Sequence, residues 1–138
     1  MNFFPVIFQM FLVISNALET PNSKIELSFK SIPNQEFITN FSEQWSVSSN
    51  CVDRKGKLKV CGASQAIAKV KVSSWKISGG VSETYTSLCQ LTNGISLTGT
   101  DAGGSEARIC QYSDDTMLFS NTLYAHFRKK RPDGKSSH

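Results

Sequence analysis

The chain has 138 residues, a hydrophobic share of 39% and a formal net charge of +4, values that argue for one folded domain and exclude bulk disorder. The charge is unevenly placed, with Arg128, Lys129, Lys130 and Arg131 in one block and Arg54, Lys55, Lys57 and Lys59 in a second. Neither block forms a continuous basic face with interleaved aromatics, so no nucleic-acid site is read here; the 128–131 block supports only weak attraction to an anionic membrane surface or acidic polymer.

The chain opens "MNFFPVIFQMFLVISNALE". Phe3 to Ile14 is apolar apart from Pro5 and Gln9, too short and interrupted for a comfortable transmembrane helix. Ser15 and Ala17 put small residues where a signal peptidase reads, so residues 1–17 read as a secretory signal peptide cut after Ala17, although no Lys or Arg precedes the apolar core. The expected product is secreted or periplasmic. It has a single domain over 18–128 and a basic, disordered tail over 129–138.

In "KIELSFKSI", Ile25, Leu27 and Phe29 alternate with Glu26, Ser28 and Lys30, which predicts a half-buried strand ended by Pro33 and Asn34. "FITNFSEQWSVSS" reads as extended, and Asn40-Phe41-Ser42 is a glycosylation sequon, relevant only in a eukaryotic host. "GKLKVCG" reads as a short strand. In "AIAKVKVSSWKI", Ala68, Val70 and Val72 oppose Lys69, Lys71 and Ser73, which predicts the strongest strand of the chain, with a bulge near Ser73 or Ser74. "SETYTSLCQLTNG" changes period: Ser82 suits an N-cap, Glu83 a first turn and Gly94 a C′ residue, around a helical face of Tyr85, Leu88, Cys89 and Thr92. "ISL" and "ARICQY" follow as a hairpin turned by Asp101, Gly103 and Gly104. "DDTMLFSNTLYAHF" fits helix or strand equally. The pattern as a whole predicts an α+β domain, mainly antiparallel sheet with one short helix.

Four cysteines in a small exported chain favour disulfides over thiols, and no C-x2-C spacing suits zinc. Three pairings are possible. The sequential one, Cys51 with Cys61 and Cys89 with Cys110, joins segments whose ends already lie close, and each staple is worth about 3 kcal/mol. A short repeat, S-x-C-x4-G, recurs at Ser49–Gly56 and Ser87–Gly94 and suggests two cysteine-anchored units, 45–80 and 82–128.

The segment 87–128 resembles a small bacterial envelope domain that carries a hemolysin label. The order Cys89, Gly94, Cys110, Asp114-Asp115 and then Leu123, Tyr124 and Phe127 follows that family, but its third cysteine and its Pro-Asp-Gly turn are missing. The resemblance implies an envelope location in a bacterium and carries no catalytic residues over.

Catalytic sets are absent from the sequence pattern. Gly103-Gly104-Ser105-Glu106-Ala107 lacks the second glycine of a nucleophile elbow. His126 stands alone in an apolar run and reads as structural. Asp114 and Asp115 read as turn or helix-start residues; with Asp101 they lack calcium-loop spacing. Trp45 and Trp75 read as core. The expectation is an exported non-enzymatic binding protein with no cofactor and an unknown partner. The alternatives are a membrane-active hemolysin-like factor and an inhibitor of an extracellular hydrolase.

Overall fold

The computed structural model describes residues 22–129; the expected signal peptide and the tail beyond Lys129 lie outside the described residues. Six strands form one antiparallel sheet: β1 (Asn22–Leu27), β2 (Gln35–Asn40), β3 (Trp45–Ser48), β4 (Ile95–Thr100), β5 (Glu106–Gln111) and β6 (Met117–Phe119), in the order β1-β2-β3-β6-β5-β4. The helices are α1 (Gly62–Val72), α2 (Val81–Leu91) and α3 (Ser120–Lys129), preceded by a 3-10 turn over Ser49–Cys51. The mainly antiparallel α+β expectation therefore holds, but among the described residues three helices stand where one was expected.

The sheet curls until its edges meet. Ser28 and Thr100 exchange both backbone hydrogen bonds at 2.9 Å, joining the end of β1 to the end of β4. Inside the curl, Leu27, Phe37, Ile109 and Met117 form a core built from sheet residues, with Phe119 edge-on to Phe37. On the other face, Trp45, Val47, Cys110 and Leu118 meet all three helices. The period of two thus places Phe37, Ile109 and Met117 inside and Ile38, Cys110 and Leu118 under the helices. α3 lies between α1 and α2.

The expected strand over 66–77 is α1 for most of its length. Its buried residues are Ala63, Ala66, Ile67 and Val70, at i, i+3, i+4 and i+7, whereas Ala68 and Val72 are exposed. That is one helical face, and the apparent alternation Ala68-Val70-Val72 never shares a side. The helix forms because its start is fully satisfied. Asp114 Oδ2 accepts the Gly62 N–H at 2.7 Å, Thr116 Oγ1 accepts that of Ala63 at 3.0 Å, and Cys61 Sγ that of Ser64 at 3.2 Å. Ser64 Oγ returns a bond to the Cys61 N–H, completing a capping box with cysteine at the cap. The bulge expected at Ser73 or Ser74 is the helix end instead. "GKLKVCG" forms no strand either, only a bridge between Val52 and Leu58 within the turn that Asp53 caps.

α2 matches the expected helix, one to two residues earlier at its start: Gly80, not Ser82, is the N-cap, and the Glu83 carboxylate accepts its N–H. At the other end Asn93, not Gly94, takes the left-handed C′ conformation (φ 67). The Asn93 and Gly94 N–H groups reach the Gln90 and Cys89 carbonyls at 3.0 and 2.8 Å, a Schellman closure. Gly94 is required for a different reason: a Cβ there would overlap Cys110 Sγ. The ambiguous segment 114–127 is a turn, then strand β6, then helix α3.

Both disulfides take the sequential pairing, Cys51–Cys61 and Cys89–Cys110. Cys89–Cys110 ties α2 to β5 below a buried hydrogen bond of 2.8 Å between Thr92 and Tyr112. Thr92 gives its proton to the Leu88 carbonyl, so Tyr112 donates; burial pushes the Tyr112 hydroxyl up to about 12. The two segments of the short repeat differ locally, since Cys51 ends a 3-10 turn and Cys89 lies within a helix. They share one core, and β3 pairs with β6.

Two substitutions test this arrangement. Asp114→Ala removes an acceptor from the start of α1 and is expected to cost about 1–2 kcal/mol, read as a lower urea midpoint at unchanged slope; an unchanged midpoint would show that the contact contributes nothing. Gly94→Ala is expected to cost more than about 2 kcal/mol by overpacking against the disulfide, and a wild-type midpoint would contradict the close approach.

Candidate functional site

Among the described residues, two clefts of comparable size flank the sheet. One, about 560 Å³, opens at the seam where β1 meets β4 and is lined by Phe29, Lys30, Leu97 and Glu106 among others. The second, about 650 Å³, lies between the β2–β3 turn, α1 and α3. It combines an aromatic floor, apolar walls and concentrated charge, and is the stronger candidate site.

Trp45 forms its floor, Leu58 and Ile67 its apolar walls, and Lys71, Lys129, Glu43 and His126 its polar part. Each helix supplies a pair at helical spacing, Ile67 and Lys71 from α1 and His126 and Lys129 from α3. Leu58 arrives on the loop that also carries Arg54, Lys55, Lys57 and Lys59. The fold therefore brings Lys71 and Lys129, from two helices, to one groove, beside the loop of the first basic cluster.

His126 holds the groove's turn. Its ring Nε2 lies 3.1 Å from the Gln44 carbonyl, so that nitrogen carries the proton and donates. Gln44 sits in the left-handed region (φ 62), and this contact fixes it there. Burial lowers the His126 pKa below its ordinary value, Lys71 lowers it further, and the Gln44 carbonyl and then Lys129 act in opposite senses. The imidazole is thus neutral near pH 7. Glu43 is engaged as well: its carboxylate accepts the Trp45 indole N–H at 2.9 Å. Ser42 donates to Asn40 Oδ1 at 2.9 Å. Among the described residues no hydroxyl or thiol forms a hydrogen bond with His126. The groove can hold an anion with an apolar portion, between two lysines and over the wall of Leu58 and Ile67.

The other residues singled out by sequence lie elsewhere. Asp101 accepts the Gly103 and Ser105 N–H groups in the β4–β5 turn. Asp114 serves Thr116 and the start of α1; desolvation opposes its ionisation, but the hydrogen bonds from Thr116 and Gly62 together hold its carboxyl below the usual range. Asp115 occupies a left-handed turn position. Among the described residues no group of three His, Cys, Asp or Glu side chains could hold a metal ion. Trp45 is buried, and Trp75 is half-buried against the helix-side core. Arg128 lies over the Tyr124 ring, 5.5 Å from its centre. Lys71, Ile67, Leu58 and Ser42 were not anticipated as site residues; Ile67 and Lys71 become visible as a pair only when 62–72 is read with a period of 3.6.

No protein-family model matches the chain, and no curated protein or solved structure is detectably similar to it.

The lowered pKa of His126 has a defined consequence for stability. Its neutral form is favoured in the folded protein, so its contribution is present above its unfolded pKa of about 6.5 and is lost as pH falls through the lower folded value. Asp53 and Asp114, whose pKa values are also lowered, act in a more acidic range. The urea midpoint of the wild type is expected to fall between pH 7.5 and 5.5, and that of His126→Gln to fall less; parallel slopes would contradict the assignment.

Proposed function

We propose that the chain is an exported, non-enzymatic binding module whose binding site is the groove between α1, α3 and the β2–β3 turn. One observation carries this reading: Lys71 and Lys129 line a groove over Trp45, Leu58 and Ile67, with Glu43 as its one carboxylate. The groove has what binding an anionic amphiphile requires and no paired nucleophile and base. Two disulfides support maturation in an oxidising compartment. Among the described residues no helix is long and apolar enough to cross a membrane. The resemblance of 87–128 to bacterial envelope domains points to the same kind of location.

The test is an amide NMR titration with a short alkyl phosphate below its micelle concentration, beside the neutral alkyl alcohol. Shifts at Ile67, Lys71, His126 and Lys129 with the phosphate, lost in Lys71→Glu/Lys129→Glu, are expected. Shifts confined to the β1–β4 seam, or turnover of an ester panel by the purified protein, would overturn the reading.

A further inference from the structure

We infer that the partner met by this groove is the surface of an anionic phospholipid bilayer, an inference that rests on the groove being the binding site. Two observations beyond the groove's interior carry it. The first is charge. Lys71 and Lys129 line the groove, and Lys57 and Lys59, both exposed, flank Leu58 on its wall loop. Two carboxylates stand near them, Glu43 in the groove and Asp53 on the wall loop. Four lysines against two carboxylates leave this rim with a net positive charge.

The second is apolar exposure beside that charge. Phe41 is 69% exposed and Val72 83% exposed, and they are the chain neighbours of the groove residues Ser42 and Lys71. A soluble polyanion would satisfy the lysines and leave both side chains in water. A bilayer accommodates both kinds of group, with headgroup phosphates at the lysines and Phe41 and Val72 at the acyl boundary. The seam cleft carries one lysine against one carboxylate, Lys30 and Glu106, whereas the groove carries two lysines against Glu43.

The test is co-sedimentation of the full disulfide-bonded protein with vesicles of phosphatidylglycerol and phosphatidylcholine, against phosphatidylcholine alone. Binding is expected only with the anionic lipid and should weaken with salt. Lys71→Glu/Lys129→Glu should reduce affinity roughly tenfold or more. Phe41→Ser/Val72→Ser should reduce it at unchanged charge. Lys30→Glu/Lys69→Glu, the same charge change at other clefts, should change it by no more than about twofold, the effect of net charge alone. All six positions are exposed, so each variant should keep the wild-type circular dichroism. Absence of vesicle binding, an equal loss in the Lys30/Lys69 pair, or indifference to the Phe41/Val72 pair would overturn the inference. If vesicles fail while the alkyl phosphate still shifts Lys71 and Lys129, the lipid assignment falls and the groove reading stands.

Discussion

The start of α1 is the contact on which the groove depends. A helix that begins with unsatisfied N–H groups in contact with a sheet is costly. Here the turn between β5 and β6, some fifty residues further along the chain, reaches over to supply Asp114 and Thr116 as acceptors, and Cys61 supplies the third. The same cysteine is bonded to Cys51, so the disulfide and the helix cap meet at one residue. α1 is thereby held in position and direction, and with it the faces of Ile67 and Lys71.

The two cores divide the work of the sheet. The curl closes on its own side chains through the Ser28–Thr100 pairing, which shortens the exposed edges and leaves the opposite face for the helices. α3 settles between α1 and α2, where Tyr124 meets Tyr85 edge-on and Leu123 and Phe127 enter the core. The groove is the place where this helical layer stops short of the β2–β3 turn. His126 bridges the gap to Gln44, so one buried imidazole both fixes the turn and shapes the site. The lysines then stand at the mouth because a buried ammonium is costly to desolvate.

Local chemistry made part of this fold legible in the sequence. Asp101, Gly103 and Gly104 specify a hairpin by their backbone freedom, and Glu83 and Gly94 bracket α2, although the caps themselves fall on Gly80 and Asn93. The cysteine pairing was legible because sequential partners close short segments. α1 was hidden by a real ambiguity: Ala66 to Val72 alternates well enough to mimic a strand, and only burial at i, i+3, i+4 and i+7 separates the two. Its cap carried no usual signal, since cysteine replaces serine or threonine and the decisive acceptors come from Asp114 and Thr116. The groove was illegible for the same reason. Its residues come from 42–45, 58, 67–71 and 126–129, and only tertiary packing brings these segments together. Lys129 was visible as part of a basic block, but its place across the groove from Lys71 was not.

The helical reading of 62–72 is the claim from which the groove, its lysines and its partner all follow. Carbon chemical shifts and nuclear Overhauser contacts of the disulfide-bonded protein test it most directly. The account predicts helical shifts throughout 62–72 and contacts from the Ile67 methyl groups to the Trp45 indole, which share one core. Extended shifts over 66–72, with cross-strand contacts from Val70, would contradict it and dissolve the site.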